Sequence, residues 1–364
     1  MILKQFGSIY LILGTCIAAG MLGLPIVTAQ YHFALTAIMI FCAWLMMSIG
    51  AWCLLQVNMQ MPRHANFISM SEATLGKTVK IITWFVYLML LYSLSCAYLA
   101  ASGDLLHTLI LDIKLFIPRA LATCLAALIL GYIVYLGIRS VDLTNRFLMS
   151  VKFIIAILLI GSVLPFSHFH TLSKGNWNFS HNVFLVVITS FGYASILPSI
   201  RDYLDNNKKQ LTRVIFLGSI IPMILYFIWV SVIQSALPRF GTHGLDAMNN
   251  SPNTISLLMS EMAALTHHVI IKSISITFIS ICSITGFLSV ATSLVDVLTD
   301  GLKQKKHGSH RIWIALLAFL PPVLVVIFDP AIFIRALIYA GYCCIYILVI
   351  LPIGMYISKR LSSH

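Results

Sequence analysis

Charged side chains are scarce in this sequence: Asp, Glu, Lys and Arg make up 9% of its 364 residues, whereas hydrophobic residues make up 60%. A soluble globular domain carries about 25% charged residues. So few charges could not solvate a water-soluble enzyme, a nucleic-acid-binding protein or a disordered chain, and these classes are excluded. An outer-membrane barrel is excluded as well, because its strands alternate apolar and polar residues over about ten positions. The apolar runs here continue for about 18 residues or more.

The sequence also lacks the patterns that mark catalytic, cofactor and metal sites. It contains no HExxH motif, no GxSxG motif and no phosphate-binding loop. None of the eight cysteines forms a CxxC pair, and all of them fall inside apolar runs, where small packing residues are expected. The twelve histidines show no spacing typical of metal ligands. We therefore expect no catalytic residue, no cofactor, no bound metal and no obligate protein partner.

Long apolar runs dominate what remains, and each is long enough to cross a hydrocarbon core of about 30 Å as a helix. The first run is too long for a signal-peptide core of roughly 7–15 residues. The polar outer segment that follows the seventh run contains Ile255 to Leu265, which is apolar enough for a short surface helix. The ten predicted spans are residues 6–31, 33–59, 78–107, 117–138, 144–165, 181–200, 213–237, 268–299, 311–328 and 331–357.

The basic residues predict the orientation of these spans. With the N-terminus inside, 17 of the 23 Lys and Arg residues fall on the inner side and 6 on the outer side. An excess of basic residues marks the cytoplasmic side of a membrane protein. The distribution therefore predicts that both termini are cytoplasmic, and it accounts for the net charge of +12 without an acidic partner or a nucleic acid.

Two spans carry the residues that interrupt helices. Span 1 has Gly20 near its middle and Pro25 five residues later, and span 6 has Gly192 and then Pro198. Glycine favours unwinding, and proline removes a helix hydrogen bond. Span 1 opens a first set of five spans, 1–165, and span 6 opens a second set, 181–357, before a short tail, 358–364.

Broken helices at corresponding positions of two inverted repeats indicate a transporter's substrate site. The alternative is that these glycines and prolines are simply tolerated in packed helices. A helix end at Ala19 to Met21 would present N–H groups to a carboxylate, and carbonyls at Ser190 to Gly192 would suit an ammonium group. No charged residue occurs in 5–61 or 175–200, so a neutral zwitterion fits such a site.

Short segments along nearly the whole sequence match, in order, those of a known family. The matching segments are Gly14-Thr15, Gly20-Met21-Leu22 with Pro25, Tyr98 with Gly103-Asp104-Leu105-Leu106, Val141-Asp142-Leu143, Asn145-Arg146-Phe147-Leu148 with Lys152, Thr189-Ser190-Phe191-Gly192, Pro198-Ser199-Ile200, Gly286-Phe287-Leu288 with Asp296, and Phe319-Leu320-Pro321-Pro322. Through these segments the chain resembles the hydroxy/aromatic amino acid permease family of the amino acid–polyamine–organocation superfamily, in particular its bacterial tyrosine-specific permeases. The resemblance departs at Ala18, where the family usually has glycine, and at His364, because family members commonly carry an eleventh span.

The resemblance implies an all-α membrane protein of ten helices in two inverted five-helix repeats, as in the leucine-transporter fold, with spans 1 and 6 broken. It implies a bacterial inner-membrane symporter that imports aromatic amino acids, with tyrosine favoured, and is coupled to protons. Other neutral amino acids (tryptophan, phenylalanine, serine or threonine) and sodium coupling stay open. A membrane-embedded enzyme is the more distant alternative.

The candidate site residues fall into three groups. The predicted substrate-binding residues are Ile17, Ala18, Ala19, Gly20, Tyr98, Ser190, Phe191, Gly192 and Tyr193. The predicted proton-coupling residues are Lys152 and Asp104, and the residues expected to line an ion site are Thr15, Ser289, Thr292 and Ser293.

Each assignment has a simpler alternative. Lys152 could extend to the membrane surface instead of staying buried. Asp104 could be an ordinary interfacial carboxylate, Tyr98 could be a core residue, and the hydroxyl groups could join helices. If Lys152 occupies a cation site, we expect its partners to be carbonyls near Thr15 and Ile17 and the hydroxyls of Thr292 or Ser293.

Overall fold

The computed structural model describes residues 2–62, 65–136, 138–242, 244–265, 269–302 and 310–361, and these are predominantly helical. A 3₁₀ turn, Gly192–Ile196, precedes α9, and a π-helical turn, Tyr346–Ile350, joins α14 to α15. The α-helices are α1 Ile2–Cys16, α2 Ala19–Val27, α3 Phe33–Asn58, α4 Phe67–Leu75, α5 Lys77–Asp112, α6 Arg119–Leu136, α7 Ile138–Val163, α8 His181–Thr189, α9 Leu197–Tyr203, α10 Lys208–Ala236, α11 Thr254–Ala264, α12 Val269–Gly301, α13 His310–Phe328, α14 Ile332–Ile345 and α15 Leu351–Leu361.

Most of these helices have the length and apolar character of membrane spans. Within the described residues, eight segments are long and apolar enough to cross a bilayer, and the bent pair of α1 and α2 makes a ninth. The apolar segment Ile312–Phe328 of α13 is shorter than the others. The chain is therefore a multi-pass membrane protein, while the full count of ten spans stays a prediction. The predicted surface helix at 255–265 is confirmed as α11.

Small residues allow the helices of this bundle to pack closely. The long α5 packs against α14, α12, α6 and α4. A Cβ added to Gly103 of α5 would lie 2.6 Å from the Thr123 hydroxyl of α6, and one added to Gly341 of α14 would lie 2.5 Å from the Leu185 carbonyl of α8. Helices in lipid associate through such close contacts, because lipid tails are as apolar as the side chains.

One helix, α10, supplies hydrogen bonds that α2 cannot make for itself. Pro25 has no N–H, so the carbonyl of Met21 loses its partner one turn later. The indole nitrogen of Trp229 donates to that carbonyl at 2.9 Å, and the Gln234 amide donates to the Pro25 carbonyl at 3.1 Å. An unsatisfied backbone group in lipid costs several kcal/mol, so these two α10 side chains allow α2 to carry a proline.

The end of the bundle that contains α11, here the α11 end, is closed by a loop and one arginine. Arg239 is buried and donates to four carbonyls, those of Ala29, Tyr31, Thr171 and Lys174. Burial lowers the pKa of this guanidinium from its ordinary value, and the four acceptors offset part of that desolvation. The arginine thus fastens the loop after α7 across the end of α2.

Candidate binding site at the two helix breaks

The two breaks lie against each other inside the bundle. The first separates α1 from α2 at Ile17 and Ala18, with a bend of 48°, and the second separates α8 from the 3₁₀ turn at Ser190 and Phe191. A Cβ on Gly20 would lie 2.5 Å from the Ser190 hydroxyl oxygen and 2.7 Å from the Ser190 Cα. Because real Cβ atoms do not approach so closely, only glycine at position 20 allows this contact.

A single tyrosine on α10 joins the two breaks. The Tyr226 hydroxyl oxygen lies 2.7 Å from the Cys16 carbonyl oxygen and 2.6 Å from the Ser190 carbonyl oxygen, and the side chain is fully buried. The hydroxyl has one hydrogen, which the two carbonyls at the ends of α1 and α8 share, so Tyr226 lies between the two breaks. The sequence offered no signal for Tyr226, since buried aromatic residues are common in any membrane bundle.

A cavity of about 870 Å³ begins at the breaks and runs to the opposite end of the bundle, here the α4 end. Binding pockets for small molecules range over about 300–1,000 Å³, so this cavity can hold an amino acid and still leave an open path beside it. Its walls at the breaks come from Ala18, Gly20, Ser190 and Gly192, its sides from Tyr98, Thr285, Gly286 and Cys344, and its mouth from Glu72, Lys80, Trp84, Asp296 and Asp300.

The N-terminal end of α2 faces this cavity. Ala18 is the residue before the helix, its backbone is extended, and no side chain caps the first turn. Ala18 and Gly20 both line the cavity. The free N–H groups and the positive end of the helix dipole therefore point toward a space that a carboxylate could enter.

Eight of the fifteen predicted site residues line this cavity, and six others do not; these six are Ile17, Phe191, Tyr193, Lys152, Asp104 and Thr292. Ile17 is buried in the core, Phe191 packs edge-to-face on Tyr226 with ring centroids 5.0 Å apart, and the Tyr193 hydroxyl lies 3.0 Å from the Ser48 hydroxyl of α3. These three side chains support the breaks from behind. The side chain of Ala19 lies outside the described part of the chain. The lining residues among those predicted are Thr15, Ala18, Gly20, Tyr98, Ser190, Gly192, Ser289 and Ser293.

Lys152 stays inside the bundle and binds the first break. Its ammonium nitrogen lies 2.9 Å from the Gly14 carbonyl oxygen and 3.1 Å from the Thr285 hydroxyl, and the side chain is 1% exposed. The Gly14 carbonyl is available because the Ala18 N–H, its partner in a continuous helix, donates to Cys16 instead. Lys152 of α7 therefore joins α1 to α12 and does not extend to the surface.

One expected partner of Lys152 is confirmed, a carbonyl near Thr15, and the expected hydroxyl of Thr292 or Ser293 is wrong. The carbonyl is that of Gly14, one residue before Thr15, and the hydroxyl is that of Thr285, two turns before Thr292. Thr292 and Ser293 donate to carbonyls of their own helix, at 2.7 Å and 3.1 Å. In a membrane helix this is a common way to satisfy a hydroxyl.

Asp104 lies at the α11 end, where it caps a helix. Its carboxylate accepts hydrogen bonds from the Ser256 backbone N–H at 2.9 Å and from the Ser256 hydroxyl, and its side chain is buried. Ser256 is the third residue of α11, so the carboxylate satisfies an N–H that no residue of α11 itself could bond. Thr108 and Arg119 add hydrogen bonds to Ser256 and Asn253. These contacts hold α11 on α5 and give Asp104 a structural role at this end.

An apolar bundle with two touching helix breaks beside a cavity is the architecture of a secondary transporter. The chain belongs to the tryptophan/tyrosine permease family, whose model matches residues 1–364. Family membership also places it among transport proteins and not among enzymes.

Individual relatives agree with this assignment. The chain is 30% identical to tyrosine-specific transport system 1 of Haemophilus influenzae, over 99% of this chain and 89% of the relative. It is 26% identical to the tryptophan-specific transport protein of Pseudomonas aeruginosa, over 97% and 86%. A solved manganese transporter of Eremococcus coleocola shares the fold, with a TM-score of 0.61 over 96% of this chain and 78% of that one, at 15% identity.

Filling the cavity at the second break should stop transport without unfolding the protein. A Cβ on Gly192 meets no atom of the described chain within 4 Å, so Gly192→Leu can place its side chain in the cavity. We expect uptake of labelled tyrosine and tryptophan into proteoliposomes to be lost, with unchanged thermal unfolding in detergent. Gly161→Leu is the matched control, because Gly161 has equally open surroundings on the exposed face of α7. Normal uptake by Gly192→Leu would contradict the site.

Removing the Asp104 carboxylate should loosen α11. In Asp104→Ala the partly buried Ser256 N–H loses its acceptor, and a fully buried donor without a partner would cost about 1–3 kcal/mol. We expect a lower unfolding temperature and faster amide hydrogen exchange in α11. Asp112→Ala on the same helix removes a half-exposed partner of Lys272 and should change little. Equal behaviour of the two variants would show that Asp104 does not hold α11.

Proposed function

We propose that this protein is a secondary transporter that imports aromatic amino acids across a bacterial inner membrane, with tyrosine as the favoured substrate and protons as the coupling ion. The observation that carries the proposal is the contact of the two breaks at Gly20 and Ser190 beside the cavity. The names of the relatives supply the substrate class. Tryptophan is the second candidate.

The chemistry of the cavity suits an aromatic zwitterion. The uncapped end of α2 would hold the carboxylate, and backbone carbonyls where α8 ends would hold the ammonium group. The ring would then lie toward Tyr98 and Gly286, whose surfaces form the side of the cavity. A Cβ on Gly286 would lie 2.1 Å from the Tyr98 ring, so only glycine at this position lets the tyrosine lie so close to α12.

We propose that both termini are cytoplasmic and that the structure is open to the inside. The cavity reaches Lys80 at the α4 end. The first turn of α1 lies at the same end, and its Lys4 forms an ion pair with Asp205. The opposite end is covered by α11 and by the loop that Arg239 fastens. For some of the basic residues that predict this orientation, the residue or its side chain lies outside the described part of the chain. These are Arg63, Arg139, Arg146, Lys303, Lys305, Lys306 and Arg311.

The same proposal includes ten spans in two inverted repeats, 1–165 and 181–357, followed by the tail 358–364. Support comes from the two breaks, which open the two sets of spans and touch each other. In α1–α2 the proline follows the break toward the α11 end, and in α8–α9 it follows the break toward the α4 end. An axis in the membrane plane relates such positions.

Coupling is assigned to Lys152. Through hydrogen bonds to Gly14 and Thr285, its ammonium connects the end of α1 to α7 and α12. A cation bound at this position would connect the same helices. In the proposed cycle the lysine loses its proton to the inner side through the cavity and regains one from the outer side. Each change of charge would weaken or restore the contact that holds α1.

Uptake without ATP tests the function directly. Purified protein in proteoliposomes should accumulate labelled tyrosine when the pH gradient is imposed and sodium is absent. Among the other nineteen amino acids, tryptophan and phenylalanine should compete most strongly, and charged amino acids should not compete. No accumulation of any aromatic amino acid would refute the function, and a strict sodium requirement would refute proton coupling alone.

Replacing the lysine should separate binding from coupling. Lys152→Ala should lose accumulation driven by a pH gradient but retain exchange of internal for external substrate, because the site at the breaks keeps its own residues. Lys272→Ala, which removes a half-exposed lysine paired with Asp112, is the control and should accumulate substrate as the wild type does. Accumulation by Lys152→Ala at the wild-type level would disprove the coupling role.

A further inference from the structure

The helix that serves the two breaks also has a lipid-facing side. Along α10 the exposed residues recur every three or four positions, so they form one stripe on the helix. The opposite side is buried and carries Tyr226, which contacts a carbonyl at each break, and Trp229, which donates to the Met21 carbonyl of α2. The apolar part of the exposed stripe consists of Phe216, Leu217, Ile221, Ile224 and Ile228.

Basic residues begin this stripe at the α4 end. Lys208, Lys209 and Arg213 lie in the first two turns of α10 and, with Thr212 and Phe216, line a shallow, open pocket on the surface of this one helix. The nearest acidic residue along the chain whose side chain is described, Asp205, is already paired with Lys4 at 2.6 Å. The pocket therefore presents three positive charges beside an apolar track, while the Thr212 hydroxyl donates to the Lys208 carbonyl of its own helix.

We propose that this pocket binds the headgroup phosphate of an anionic phospholipid, with the acyl chains lying along the stripe from Phe216 to Ile228. Basic clusters at the membrane surface attract anionic lipids, and Arg and Lys bind phosphate through charge-assisted hydrogen bonds. The charges continue directly into the bilayer-facing residues Phe216 and Leu217, so a phospholipid bound by its headgroup here would keep its acyl chains within the bilayer.

A lipid bound in this pocket would affect transport through its contact with α10. A lipid bound at Lys208, Lys209 and Arg213 would fix the α4 end of α10, and α10 is the helix whose Tyr226 bridges the two breaks. An anionic lipid would thereby keep the Tyr226 hydroxyl in its position between the ends of α1 and α8. The binding itself does not depend on the identity of the substrate or of the coupling ion.

Lipid retention measures this binding without a transport assay. The protein is purified in mild detergent, stripped of lipid, and mixed with cardiolipin, phosphatidylglycerol or phosphatidylcholine for native mass spectrometry. We expect the two anionic lipids to remain bound and phosphatidylcholine to dissociate. The triple variant Lys208→Gln/Lys209→Gln/Arg213→Gln should retain cardiolipin at least about tenfold less, because each basic side chain adds to the attraction.

The control removes the same charge from scattered positions. Lys77→Gln/Lys114→Gln/Lys174→Gln changes three exposed lysines that share no pocket, and it should retain cardiolipin as the wild type does. Equal retention by both triple variants would overturn the proposal. Displacement of the lipid by millimolar inorganic phosphate would also overturn it, since the pocket would then be a site for the free anion. Unchanged thermal unfolding confirms that the variants are folded.

Discussion

The need to satisfy backbone groups inside a membrane governs this structure. Lipid offers no hydrogen-bond partners, so every interrupted helix requires donors or acceptors from elsewhere in the protein. The break between α1 and α2 leaves the Gly14 carbonyl without its helical donor, while the Cys16 carbonyl accepts from the Ala18 N–H, and Pro25 frees the carbonyl of Met21. Lys152, Tyr226 and Trp229 donate to these three carbonyls. The partners come from α7 and α10, and those helices are thereby fixed around the breaks.

The sequence predicts the breaks better than their surroundings. Glycine and proline interrupt helices for local reasons, so spans 1 and 6 could be recognised from residues alone. The donors that complete the breaks are distant in sequence, and Tyr226 resembles any other buried aromatic residue. Lys152 was recognisable because a charge in an apolar span is costly. Its true partners depend on how α1 and α12 are rotated about their axes. The polar residues of the sequence do not indicate those rotations.

Side-chain direction explains which site predictions differ from the structure. Phe191 and Tyr193 belong to the second break, but their rings point into the bundle, toward Tyr226 and Ser48, while Gly192 between them faces the cavity. A 3₁₀ turn starts at Gly192, and its tighter winding decides which residue faces inward. The contacts of Asp104 could not be predicted from its own span either, because its partner is on α11, a helix about 150 residues later in the chain.

The geometry of the first break connects the site to the proposed coupling. Lys152 of α7 and Tyr226 of α10 donate to carbonyls only two residues apart, Gly14 and Cys16. Hydrogen bonds from a charged donor are roughly twice as strong as neutral ones. Loss of the lysine proton would therefore weaken one of the two attachments while the tyrosine keeps the other. The end of α1 would then pivot about Cys16, beside Ala18 and Gly20, so a change of charge at Lys152 would reach the substrate through the backbone alone.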